Sequence, residues 1–262
     1  MKALLLPLDN RPVTYSFPAL LAEVAGIKAL VPPREFFGSL NSAAQIEKIT
    51  DWISQAAHAE NIKAILASTD CILYGGLINS RRSGESLSTV LSRISIFKNW
   101  HKTAQAPIYA QASIMRISDN NDATEEKAYW EQFGKELFRW SGSLHKLLIA
   151  GELKQPLLAS NHQLAEQKIP EEIKMDYLST RFRNFQVNLR LVELVKNGVI
   201  KNLIFSQDDS GEHGLNVFEK LKLEKLIKSL KLSDRILCYP GADEVLCTLL
   251  SRYLIQTIIR GV

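Results

Sequence analysis

Two adjacent carboxylates end a short apolar run at Gln207-Asp208-Asp209 and are followed by Ser210 and Gly211. Neighbouring side chains on an extended chain point in different directions. One can stay ionised while the other, in a drier setting, holds a proton. General acid–base chemistry needs that division, and glycoside hydrolysis in particular needs two carboxyl groups flanking the sugar. Asp208 and Asp209 are therefore the candidate catalytic pair, with Asp209 as general acid and Asp208 orienting or stabilising. A plainer reading stands beside it, in which Asp209 or Ser210 caps the next helix and Asp208 is a structural acceptor.

Five other apolar runs also end in polar residues. Asp9-Asn10-Arg11-Pro12 follows the first, Arg34 and Glu35 the second, and Asp70 the third, with Tyr74-Gly75-Gly76 and Arg81 close behind. Arg116 and Asp119 follow the fourth, and Tyr239-Pro240-Gly241-Ala242-Asp243-Glu244 closes the sixth. Parallel strands bring their carboxyl ends to one face, where ligands bind. Asp9, Asn10, Arg11, Arg34, Asp70, Tyr74, Gly75, Gly76, Arg81, Arg116, Gln207, His213, Tyr239, Asp243 and Glu244 are the expected substrate-binding residues.

Other chemistries lack their spacing. His58, His101, His145, His162 and His213 form no HxH, HExxH or HxxxH pattern, which argues against a histidine metal site. Gly75-Gly76 permits close backbone approach but matches neither GxGxxG nor the P-loop. No GxSxG elbow occurs. No cofactor is expected; the alternative is a divalent cation such as Mg2+ held by Asp9, Asp70, Asp208 and Asp209.

The elements that must position these groups are legible as patterns. Ala3–Leu8, Lys28–Val31, Ile62–Ala67, Ile108–Ala112, Leu203–Ser206 and Ile236–Tyr239 are nearly continuous apolar runs, the pattern of strands covered on both faces. Segments 41–59, 86–102, 176–197 and 216–230 carry apolar residues at helical spacing. The alternation predicts an α/β fold around a mostly parallel sheet, either (β/α)8-barrel-like, as a whole or incomplete barrel, or a doubly wound open sheet. The chain reads as a single α/β domain over 1–262. Residues 123–167 form a helical insertion whose Trp130, Phe133, Leu137, Phe138 and Trp140 read as packing, and Leu147–Ala150 is a weak strand candidate.

The bulk numbers agree with an ordinary globular protein: 262 residues, 46% hydrophobic, 23% charged. A net charge of +4 from 32 basic and 28 acidic residues is too balanced to point to nucleic acid. Cys71, Cys238 and Cys247 give neither a disulfide framework nor a zinc site. The opening apolar run is stopped by Pro7 and Asp9, short of the roughly 7–15 residues of a signal core. No apolar stretch approaches the roughly 20 residues of a membrane span. A cytoplasmic protein with a small-molecule or sugar substrate, and without nucleic-acid or membrane partners, is expected.

Taken together, Pro7 to Pro12, Pro32-Pro33-Arg34-Glu35, Ser68-Thr69-Asp70 with Leu73 to Ile78 and Ser80-Arg81, Gln207-Asp208-Asp209, and Tyr239 to Glu244 resemble the bacterial family catalogued as domain of unknown function 4127. The resemblance runs from Leu6 to about Leu250. It implies a chain that continues beyond a point like Val262, so that the present residues would be the N-terminal part of a longer architecture with a barrel completed there. It supports the site more than any reaction.

The leading expectation is thus a glycosidase-like hydrolase with strand-end carboxylates as acid and base. The alternatives are a divalent-metal-dependent hydrolase or phosphoryl-transfer enzyme, and a non-catalytic carbohydrate-binding or regulatory module.

Overall fold

The computed structural model describes residues 1–40, 42–59, 61–150, 155–208 and 211–260. Six strands form one all-parallel sheet: β1 (Lys2–Leu6), β2 (Lys28–Leu30), β3 (Ile62–Ser68), β4 (Ile108–Ser113), β5 (Asn202–Gln207) and β6 (Ile236–Pro240). All six apolar runs are strands. Their continuity has the expected cause, because alternate side chains feed two different cores. In β1, Leu4 and Leu6 face one layer while Ala3 and Leu5 face the other. Leu203 and Phe205 of β5 likewise point away from Ile204. A strand buried on both sides has no polar alternation to show.

The spatial order is β2-β1-β3-β4-β5-β6. Of the two expected architectures, the open doubly wound sheet is the one that forms. A singly wound barrel adds each strand beside the last in one direction. Here β3 lies on the far side of β1 from β2, so the winding reverses and β2 and β6 end as opposite edges.

That reversal also sorts the helices, since crossovers of one hand change face when they change direction. Helix α1 (Pro12–Val24) joins α11 (Val245–Arg260) on one face, burying Ala22, Val245, Leu249 and Tyr253. The other face carries α2 (Ile46–Ala59), α3 (Thr69–Tyr74), α4 (Leu77–Arg82), α5 (Leu87–Arg93), α6 (Ser95–Ala104), α9 (Glu171–Lys196) and α10 (Leu215–Ser229). Ile49, Ile53, Phe97, Trp100, Val187, Leu191 and Leu223 form its core.

Helices α7 (Trp130–Ile149) and α8 (Gln155–Glu166) occupy most of the segment read as an insertion. With the start of α9 they build a third core from Trp130, Leu137, Trp140 and Tyr177, next to the strand-end residues Met115 and Ile117. The aromatic residues pack there. Leu147–Ile149 is the last turn of α7 rather than a strand. No helix among the described residues is long and apolar enough to cross a membrane.

Candidate functional site

The winding reverses between β1 and β3, and a doubly wound sheet leaves a crevice at the strand carboxyl ends at such a point. A hollow of about 240 Å3 opens there. Its walls come from four strand ends: Asp9 and Arg11 after β1, Arg116 and Glu125 after β4, Asp208 after β5, and Asp243 and Glu244 after β6. Leu77 and Ile78 of α4 complete it.

Arg11 knots two of these loops together. Its Nε donates to Asp9 Oδ2 at 2.9 Å, while Nη1 and Nη2 donate to the two carboxyl oxygens of Asp243 at 2.9 and 2.6 Å. Asp9 Oδ1 also accepts the Arg11 N–H at 3.1 Å and the Thr14 hydroxyl. Such fork-on-carboxylate pairs fix geometry as well as charge. Pro at the first turn of α1 favours the helical start that carries Thr14 into place.

The opposite wall is a second network. Arg116 donates through Nε to Glu126 at 3.0 Å and through Nη2 to Glu125 at 2.9 Å, and its Nη1 lies 3.8 Å from Asp208 Oδ2. Buried Arg81 reaches the same two glutamates, at 3.0 Å to Glu126 and 3.3 Å to Glu125. Glu126 is only 3% exposed, and the two guanidinium groups compensate its buried charge.

The structure therefore brings together Asp9, Asn10, Arg11, Gly75, Gly76, Arg116, Asp208, Asp243 and Glu244 around one cleft. Asp209 lies outside the described residues. The other expected residues are placed elsewhere. Arg34 spends Nε and Nη2 on the Asn10 carbonyl at 2.9 and 2.6 Å and stacks over Tyr15, so it braces the β1 loop from behind. Asp70, Tyr74, Arg81 and Gln207 are buried. Tyr239 packs against the α1/α11 core. His213 sits beside His145 of α7, their rings 5.5 Å apart.

Sequence reasoning missed Glu125 and Glu126. They lie in a segment whose aromatic periodicity drew the attention. The available signal was an adjacent acidic pair shortly after Arg116, with Arg81 in the same polar set.

A match to a family model now has a structural frame. The model described as "Protein of unknown function (DUF4127)" matches residues 3–260. The chain belongs to that family. Neither the curated proteins nor the solved structures contain a match.

In this DUF4127 chain a larger hollow, about 670 Å3, lies between α1 and β2. Its lining of Ala19, Leu20, Ile27 and Ala29 carries only Glu23 and Lys28 as charges. The candidate site is the smaller cleft, because the ion-paired groups from four strand ends converge there. Among the described residues no three His, Cys, Asp or Glu side chains gather as a metal-binding group. Asp9, Asp70 and Asp208 are accordingly not grouped among the described residues, and Asp209, the fourth acid named for Mg2+, lies outside them.

Asp70 carries a clear electrostatic signature. Burial pushes its carboxyl up to about 6, opposed by hydrogen bonds from Ser113 and by the charge of Arg81. Its Oδ2 is buried without a hydrogen-bond partner. The folded value exceeds the unfolded one, near 3.9. The folded state therefore holds the proton more tightly, and stability is fully present below pH 4 and declines as pH rises to about 6. An Asp70→Asn variant should flatten this slope and gain up to about 3 kcal/mol at pH 7, since one unit is about 1.36 kcal/mol. Urea unfolding at pH 4, 5, 6 and 7 checks it, and parallel wild-type and variant curves would exclude the assignment.

Proposed function

We propose that this protein is an enzyme acting on a small hydroxyl-rich substrate in the switch-point cleft, and that the reaction is hydrolysis of a glycosidic bond. One observation carries the reading. The cleft is lined by charged side chains that are paired acid to base, Arg11 with Asp9 and Asp243, Arg116 with Glu125 and Asp208. A strongly ionic ligand would have to break such pairs. A polyol does not, because paired guanidinium and carboxylate groups still offer donors and acceptors to neighbouring hydroxyls. The volume supports the same reading: about 240 Å3 falls below the roughly 300–1,000 Å3 of drug-sized pockets.

In the reaction the bond between the sugar's anomeric carbon and the leaving oxygen breaks. An acid gives its proton to that oxygen, and water adds to the carbon with loss of a proton to the same carboxyl machinery. Asp208, on the cleft wall and held by Arg116, stabilises the positive charge that develops on the sugar. Asp209 is assigned the acid role from its place in the sequence.

The test is a panel of chromogenic glycosides offered to the wild type and to Asp243→Asn. At least one glycoside should be hydrolysed. The substitution removes a charge that Arg11 is paired with, a half-exposed contact of the kind that contributes about 1 kcal/mol or less, so KM should rise a few-fold. A panel left wholly intact by the wild type defeats the reaction, and an unchanged KM in the variant defeats the part given to Arg11 and Asp243.

A further inference from the structure

A second hollow of about 220 Å3 adjoins the first, and the two share Asp9, Arg11, Leu77, Ile78 and Glu125 as a common wall. Their private linings differ in kind. The first hollow adds Arg116, Asp208, Asp243 and Glu244. Among the described residues the second adds no ionisable side chain: its own walls are Gly38, Ser39, Leu40, Ser42, Gly76 and Asn79, among others of that type. Several of its polar groups are already engaged. The Ser39 and Ser42 hydroxyls lie 2.9 Å apart in a hydrogen bond, and the Asn79 amide donates to the Tyr74 carbonyl.

The second hollow is also built rather than incidental. Three loops meet backbone to backbone around it. The Asn10 N–H donates to the Gly38 carbonyl at 3.3 Å, the Ala44 N–H to the Gly75 carbonyl at 2.8 Å, and the Ser39 N–H to the Ser42 carbonyl at 2.9 Å. At Gly38 a Cβ would come within 2.5 Å of the Ser42 carbonyl oxygen and 2.9 Å of the Gly75 oxygen, so only glycine lets these loops close. Gly75, at φ 84°, takes the left-handed turn that ends α3 and starts the floor of the hollow. Rigid walls of this kind are formed before a ligand arrives, which limits the ordering penalty on binding.

We propose that the cleft binds a two-part substrate, with the hydroxyl-rich unit in the charged hollow and a neutral, weakly polar leaving group in the second hollow. The junction between the two parts lies against Asp9 and Arg11. The proposal rests on the glycoside reading and adds the class of the leaving group. An aryl or alkyl group fits the hollow by chemistry; a charged one, such as a phosphate ester, finds no private counter-charge there.

Leu40, 41% exposed at the rim, is the handle for a test. Its exposure makes substitution tolerable for folding. Leu40→Trp narrows the hollow and Leu40→Ala widens it. The readout is the ratio of kcat/KM for a para-nitrophenyl glycoside over the methyl glycoside of the same sugar. The wild type should prefer the aryl substrate, and Leu40→Trp should lower the ratio about tenfold, the usual size of a pocket-shape effect. Leu40→Ala should not lower it. Saturation-transfer NMR with the para-nitrophenyl glycoside reads binding separately from turnover: aromatic protons should receive saturation from the wild type and lose it in Leu40→Trp. Turnover with an unaltered ratio in Leu40→Trp overturns the leaving-group site and leaves the glycoside reading standing. Aromatic saturation lost in Leu40→Trp without any turnover supports the site and overturns the reaction. Saturation of neither half of the glycoside overturns both.

Discussion

Asp208→Asn should lower kcat by about 10²–10³-fold on any glycoside the wild type cleaves, the usual effect of removing one preorganised electrostatic stabiliser. Asp208 follows β5 directly, faces the charged hollow, and has Arg116 Nη1 at 3.8 Å from its carboxylate. The asparagine keeps the shape and removes the negative charge that, in the proposed reaction, stabilises the developing oxocarbenium ion. Its side chain is 43% exposed, so thermal stability should stay within about 0.5 kcal/mol of the wild type. The comparison with Asp209→Asn separates the two roles. A lost general acid matters less when the leaving group departs without protonation. Asp209→Asn should therefore be milder on para-nitrophenyl than on methyl glycosides, whereas Asp208→Asn should hit both alike. Steady-state kinetics on the two substrates decides it, and unimpaired turnover in Asp208→Asn removes this residue from the mechanism.

The largest effect on stability is expected at Arg181. This α9 side chain is 2% exposed and makes five hydrogen bonds. Nε and Nη2 grip the Glu219 carboxylate of α10 at 2.9 and 2.6 Å. Nη2 also reaches the Met115 carbonyl at 2.9 Å, and Nη1 the Arg116 carbonyl at 3.2 Å and the Tyr177 hydroxyl at 3.1 Å. Arg181 thus clamps the segment after β4 that carries Arg116 into the cleft. Replacement by Leu strands the Glu219 charge and two carbonyls, and breaking a buried pair in this way costs about 3–5 kcal/mol. Burial already pushes the Glu219 carboxyl up, with Arg181 opposing. Without the arginine it takes a proton more readily, so the loss should shrink as pH falls. The double variant Arg181→Leu with Glu219→Leu should recover much of the stability, because apolar side chains of similar volume replace such pairs well. Urea unfolding of the single and double variants gives the answer; a single variant within 1 kcal/mol of the wild type would contradict the clamp.

Much of the scaffold was legible. The six strands are short apolar runs because two cores need alternate residues, and α2, α9 and α10 show their buried faces at helical spacing. Other elements hid for local reasons. Helix α1 carries Pro12 and Pro18 and exposes Phe17, Leu20 and Val24, so its apolar face is not confined to the core. Gly75-Gly76, which permits close backbone approach, is a two-residue joint between α3 and α4, two short helices with no periodicity of their own to show. The helical pattern over 86–102 is two helices with a break at Ile94.

The sequence by itself determined that strands and helices alternate, that the sheet is parallel, and that acids and arginines follow the strands, because those features depend on neighbours in the chain. Tertiary structure decided which of them meet. Arg11 finds Asp243 across 232 residues, and Arg116 finds Glu125 and Glu126. Gln207 ends β5, and Asp70 and Arg81 sit in the helices after β3, near strand ends like Asp9 and Asp208, but packing turns them into the interior. Strand order and the side on which each loop closes set those outcomes. Both depend on how the buried faces of distant segments fit together, and a single chain read in order carries no direct record of that fit.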